Sequence, residues 1–251
     1  GVEAAGRDMK NRGGRVRIAG GHSAGGVGGS IMLTSGSSTT AGSGTVVVRS
    51  ANSGVEGPSG NLVLRTGGAT QGASGAMSLA TGSAQQGSGG EITLRVGDGR
   101  VGAGGDIRLQ AGRTMDLDTG GSIKMTSGRS VQATSGDVHI ATQNSGRAGA
   151  SGHISLMTGT SSLGASGSLR LATGTARSGP GGDVHVAVGE GFYGEGGRLA
   201  LHAGDTHAAA QQGGAIVLVA GDGLSTDDDN GGDGGVVSIV GGRANGLALT
   251  D

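Results

Sequence analysis

The chain has 251 residues, 61 of them Gly, with no Cys, no Trp, a single Phe and a single Tyr, and its net charge is −1. A globular core ordinarily takes much of its buried area from aromatics, and a chain that folds around disulfides needs cysteines, so both routes are closed. The near-zero charge supplies no field to draw nucleic acid or an anionic membrane, and no apolar run is long enough to span a bilayer.

Residues 1–13 read as an N-terminal partial rung whose "GVEAAGRDMKNR" is a poor cap. Opening on Gly rather than Met is expected of a processed protein or a segment of a longer one. From Gly14 onward one phrase recurs, as in "GGDIRLQAG" and "GGDVHVAVG". Taking position 0 as Gly14, 29, 44, 60, 75, 90, 105, 121, 136, 152, 167, 182, 197, 214 and 235, positions +2 and +4 are aliphatic in all 15 units. Position +7 is Gly in 13 of the 15, the exceptions being Ala51 and Gln143. The period is 15 or 16 residues, widening to 17 after Gly197 and 21 after Gly214.

Apolar residues two apart have the period of a strand with one covered face, whereas a helix needs spacings of three and four. So short a unit cannot cover that face alone, but stacked neighbours can. The expected fold is therefore all-β: a parallel β-solenoid, or β-helix, of about 15 rungs over residues 14–242. In that reading every +2 and +4 side chain is buried, and the small residues at +9, such as Ser38, Ser130 and Ala176, form the opposite wall. Thr at +6 shares the parity of the buried aliphatics. A longer period overlies the first: "GGSIMLTSGSS" (28–38) returns as "GGSIKMTSGRS" (120–130), and "VGDGRVGAGG" (96–105) as "VGEGFYGEGG" (188–197), each offset by 92 residues or six rungs.

The insertion "DGLSTDDDNGGDGG" (222–235) widens one corner and carries Asp222, Asp227, Asp228, Asp229 and Asp233, candidate calcium ligands. Their spacing fits neither the EF-hand nor the G-G-x-G-x-D calcium roll, so a solvated acidic loop is the plainer reading. Residues 243–251, with "NGLALTD", read as a C-terminal partial strand.

The outward columns carry little chemistry. Four of the six His fall at outward positions and no column repeats them in adjacent rungs; no Gly-x-Ser-x-Gly elbow opens a helix. Acidic residues favour +1 (Glu91, Asp106, Asp137, Asp183) and basic ones +3 and +5 (Arg65, Arg108, Lys124, Arg170), so pairing across rungs is expected. Two outward stretches are apolar: Met32, Val47 and Val63 in successive rungs, and Val217, Val219, Val236 and Val240 near the C-terminus. Exposed apolar patches mark contacts, which makes these the candidate assembly interface.

The cycle of "TSG.S", "ATG.A..G.GG" and "VG.G..G.GG" phrases resembles the Gly-rich tandem-repeat surface proteins of stramenopile algae and oomycetes, across residues 13–242. The resemblance implies an extracellular scaffold, coat or hair filament and supplies no catalytic residue. The function expected is structural rather than enzymatic: a self-assembling, extracellular or cell-surface subunit or segment of a filament, hair or sheath. It associates end to end or laterally, with matrix polysaccharide a further candidate partner and no cofactor beyond the calcium named. Two alternatives stand beside it. An ice- or ligand-binding surface solenoid needs a regular outward Thr array, which the mixed +3 and +5 columns lack; a polysaccharide-active β-helix enzyme needs long loops and aromatic platforms, and "GFYG" (191–194) is the one aromatic spot.

Overall fold

The computed structural model describes Val2–Ala4 and residues 13–243. The expectations for residues 1–13 and 243–251 therefore fall largely outside the described residues. Regular structure among those described is limited to β1 (Val2–Ala4) and β2 (Val16–Ile18), which form one antiparallel pair with Val2 opposite Ile18 and Ala4 opposite Val16. There is no helix among them, and no side chain of residues 13–243, apolar or polar, is buried.

The all-β parallel solenoid is thereby overturned, and with it the β-helix register. The described chain is mostly irregular. The +2 and +4 residues line no core: Ile107 is 56% and Leu94 67% exposed. Among the described residues, the backbone hydrogen bonds between consecutive repeats are those at the base of the loop that connects them, and none joins the +1 to +5 stretch of one repeat to that of the next. The physical reason lies in the turns. Instead of a wide corner that delivers the chain to a new rung, each repeat ends in a loop that closes on itself.

The closure is a neck between positions +6 and +7 of one repeat and Gly 0 of the next. It comes in two forms, and the residue at +6 selects between them. Where +6 is Gly, Ser or Ala, the backbones approach and the N–H of Gly 0 donates to the carbonyl of the +7 Gly: Gly29 to Gly21, Gly44 to Gly36, Gly121 to Gly112, Gly136 to Gly128, Gly214 to Gly204 and Gly235 to Gly221, all at 2.8–2.9 Å. The +6 residues Ser35, Ala111, Ser127, Ala203 and Ala220 in these necks, together with Ser130, are the half-buried residues of the described chain. Inside these loops a Ser, Thr or Asp oxygen accepts a backbone N–H two or three residues on, as from Gly26 to Ser23, Ala41 to Ser38, Ala133 to Ser130 and Ala208 to Thr206. These are the short side-chain turns that hydroxyl residues favour.

Where +6 is β-branched, the neck bond is absent and the side chain itself lies over Gly 0. A methyl placed on Gly105 would come within 2.8 Å of Val96 Cγ1, and one on Gly90 within 3.3 Å of Thr81 Cβ. Thr81 also donates its hydroxyl proton to the Gly90 carbonyl at 3.3 Å. Two heavy atoms on Cβ, two methyls in Val or a methyl and a hydroxyl in Thr, are too wide to let the two backbones meet. Most loops above such necks turn at a glycine of positive φ three residues before the next repeat, such as Gly72 at 94° and Gly102 at 89°. The neck at Ser50 behaves like these, with Ala51 in place of the usual +7 Gly and Gly57 at 95°.

The chain divides into two compact units, Gly1–Lys124 and Met125–Asp251. In the first, two bonded loops are followed by four packed ones and then the bonded loop 112–121. In the second, the bonded loop 128–136 is followed by four packed loops and then two bonded ones. The six-repeat period of the sequence is thus the period of the loop types: two bonded, four packed, two bonded, four packed, two bonded.

Candidate self-association surface

Between necks, positions +1 to +5 run as an open segment with its side chains on alternate faces. The unbroken aliphatic columns at +2 and +4 occupy one face, and they are about half covered at most: Ile92 is 48% exposed, Ile154 54% and Leu171 71%. The other face carries the charged columns. Of the acid–base pairings expected there, Arg108 to Asp106 forms at 2.7 Å, but within one repeat; the second ion pair, Arg95 to Asp98 at 3.3 Å, joins a segment to its own loop. All four side chains are exposed, so each pair contributes less than about 1 kcal/mol. No ion pair links two repeats among the described residues, which corrects the expectation of pairing across rungs.

The residues expected to form an assembly interface all lie in solvent. Met32, Val47 and Val63 are each at least two-thirds exposed, as are Val217, Val219, Val236 and Val240. With the +2 and +4 columns they leave nearly every large aliphatic side chain of the described chain in water, far beyond the scattered exposure of an ordinary soluble domain.

The acidic insertion is a bonded loop with extra length. Its neck, Gly235 to Gly221, measures 2.8 Å although 14 residues separate the partners, the same as the neck between Gly29 and Gly21 eight residues apart. The neck bond is therefore the same whatever the loop length, and the inserted residues lie outside it. Asp227 Oδ1 accepts the backbone N–H groups of Asp229 (3.0 Å) and Asn230 (2.9 Å). Those bonds, first that from Asn230, hold its carboxyl below the ordinary 3.8. Asp222, Asp228, Asp229 and Asp233 are exposed, and no three acidic or His side chains converge as a metal site among the described residues. The Asp227 turn has a pH signature. Because the folded pKa is depressed, its stabilisation is present above the unfolded value and is lost as pH falls through the folded one. Acidification from neutrality should therefore leave the Asp229 and Asn230 amide resonances in place until pH drops below 3.8, then shift both together. A midpoint at or above 3.8 would show that the turn is absent.

A shallow, solvent-open depression of about 270 Å³ lies against Arg49, Ser50, Ala51 and Asn52. Four consecutive residues on one strand of chain present no opposing wall to orient a substrate. What the sequence reading missed is the role of +6. The alternation of Thr or Val with Ser, Ala or Gly in that column was visible, and it is what sorts the necks. No helix long and apolar enough to cross a membrane occurs among the described residues. No family model, no curated protein and no solved structure matches the chain.

Proposed function

We propose that this chain is a structural protein of an extracellular or cell-surface layer, a subunit or segment of a filament, hair or sheath built from copies of the same chain. The observation that carries the reading is the absence of any buried side chain among residues 13–243, combined with aliphatic columns repeated in every unit. A polypeptide that leaves those columns in water gains nothing from the hydrophobic effect until another surface covers them. The surface most regularly available to cover them is the same column on another copy. Locally closed loops with constant necks supply the uniform spacing such an assembly requires. The repeat phrasing, similar to that of Gly-rich surface proteins of stramenopile algae and oomycetes, supports an extracellular setting. The reading assigns no catalytic residue and no cofactor. Sedimentation velocity over a concentration series tests it: the sedimentation coefficient should rise steeply with concentration and the assemblies should be visible by electron microscopy. A chain that stays monomeric at high concentration, with its termini intact, overturns the proposal.

A further inference from the structure

The repeat segments have unpaired backbone edges as well as uncovered aliphatic columns, and one segment shows how such an edge is satisfied. Val16–Ile18, positions +2 to +4 of the first repeat, takes a β partner, and takes it antiparallel, from Val2–Ala4. Resting on the self-association reading above, we infer that two copies of this chain pair antiparallel, segment to segment, about a two-fold axis that passes by Lys124. The first repeat of one copy lies opposite the last of the other, the second opposite the last but one, and the repeat beginning at Gly121 opposite itself.

Three features select this register. The order of loop types reads the same in both directions, two bonded, four packed, two bonded, four packed, two bonded. Read in reverse, the order therefore sets a bonded loop against a bonded loop and a packed loop against a packed loop at every position. The bonded necks hold 2.8–2.9 Å whatever the loop length, so the two longer loops near the C-terminus close at their base as the short ones do.

The apolar columns come next. Antiparallel pairing sets +2 opposite +4 and +3 opposite +3. The aliphatic columns then face each other everywhere, and the two outward apolar patches touch at one place, Met32 opposite Val217, while Val47 faces Ala200, Val63 faces His185 and Val240 faces Arg15.

Charge decides against the competing parallel arrangement. In register and parallel, each of Arg49, Arg65, Arg95, Arg108, Lys124 and Arg170 faces its own counterpart, a destabilising arrangement at every one of these positions. Reversal sets Arg65 opposite Asp183 and Arg108 opposite His139, and leaves Arg49 opposite Arg198 and Lys124 opposite itself as the cationic clashes. A parallel pairing shifted by six repeats also matches loop types, but it leaves six repeats of each copy unpaired and sets Met32 opposite Lys124.

The chain has no cysteine, so single-cysteine variants of the full chain read the register directly. Facing +3 positions in an antiparallel pair lie within disulfide reach. Under mild oxidation Lys124→Cys alone should convert to a disulfide dimer. Met32→Cys alone should remain reduced monomer, and an equimolar mixture of Met32→Cys with Val217→Cys should yield the mixed dimer, identified by mass. A Met32→Cys homodimer would establish the parallel in-register pair instead, and a mixed dimer of Met32→Cys with Lys124→Cys the six-repeat shift; either overturns the inference. Sedimentation of the unmodified chain separates the two levels. Association with the wrong cross-links removes the antiparallel register alone, whereas a concentration-independent monomer with no cross-links removes the self-association reading as well.

Discussion

Heated as a monomer in dilute solution, the chain should lose its circular dichroism signal gradually, with no cooperative transition. A compact domain absorbs about 0.7 kcal/mol per residue at its midpoint, and its sharp melting reflects the simultaneous exposure of a shared core. Here the described residues share none. Each neck is one hydrogen bond or one side chain laid over a glycine, closed within a single loop, so each opens independently of the others. A net contribution of about 1 kcal/mol per bond cannot make the opening of one loop depend on the next. Raising the concentration should restore a sharp transition whose midpoint climbs with protein, because association then supplies the common surface. The measurement is a melting series by far-ultraviolet circular dichroism at several concentrations. A steep transition independent of concentration would mean that the monomer holds a core after all.

The second large effect concerns the aliphatic columns. Ile107→Asp should leave the monomer's spectrum and loop amide resonances unchanged and weaken self-association about 100-fold or more. In a solenoid the same substitution would place an unpaired charge in the core and unfold the rungs around it. In the structure Ile107 is 56% exposed, so a carboxylate there stays hydrated in the monomer at little cost. In the antiparallel pair Ile107 lies opposite Ile140, and burial of an aliphatic side chain of that size contributes about 1.5–3 kcal/mol. The two-fold axis makes every substitution count twice, and about 1.4 kcal/mol corresponds to a factor of ten in the dissociation constant. Sedimentation equilibrium gives the constant, with Gln85→Asp in an exposed loop as the matched control that should change little. Loss of the monomer's loop resonances in Ile107→Asp would restore the buried reading of the +2 column.

The sequence by itself determined the repeat. The Gly at 0, the aliphatics at +2 and +4 and the six-repeat period are properties of the text, and they mark where the loops fall. It also carried the sorting of the necks, since Thr158 and Val188 are β-branched where Ser127 and Ala203 are small. Periodicity says that a face is apolar; it does not say that anything lies against it. Whether Leu94 and Ile107 meet the next repeat depends on where the intervening loop delivers the chain, and that is a matter of three-dimensional closure. Only the tertiary structure shows that Gly121 returns to Gly112 and Gly136 to Gly128 at 2.9 Å, sealing each loop at its own base instead of laying one segment on the last. The Thr at +6, which parity assigned to a core, lies over a glycine of the following repeat for the same reason. With so much Gly the ordering entropy per residue is high, and with almost no aromatics the apolar area available per repeat is small. A single chain of this composition closes what it can close locally and leaves its aliphatic columns exposed for another surface to cover.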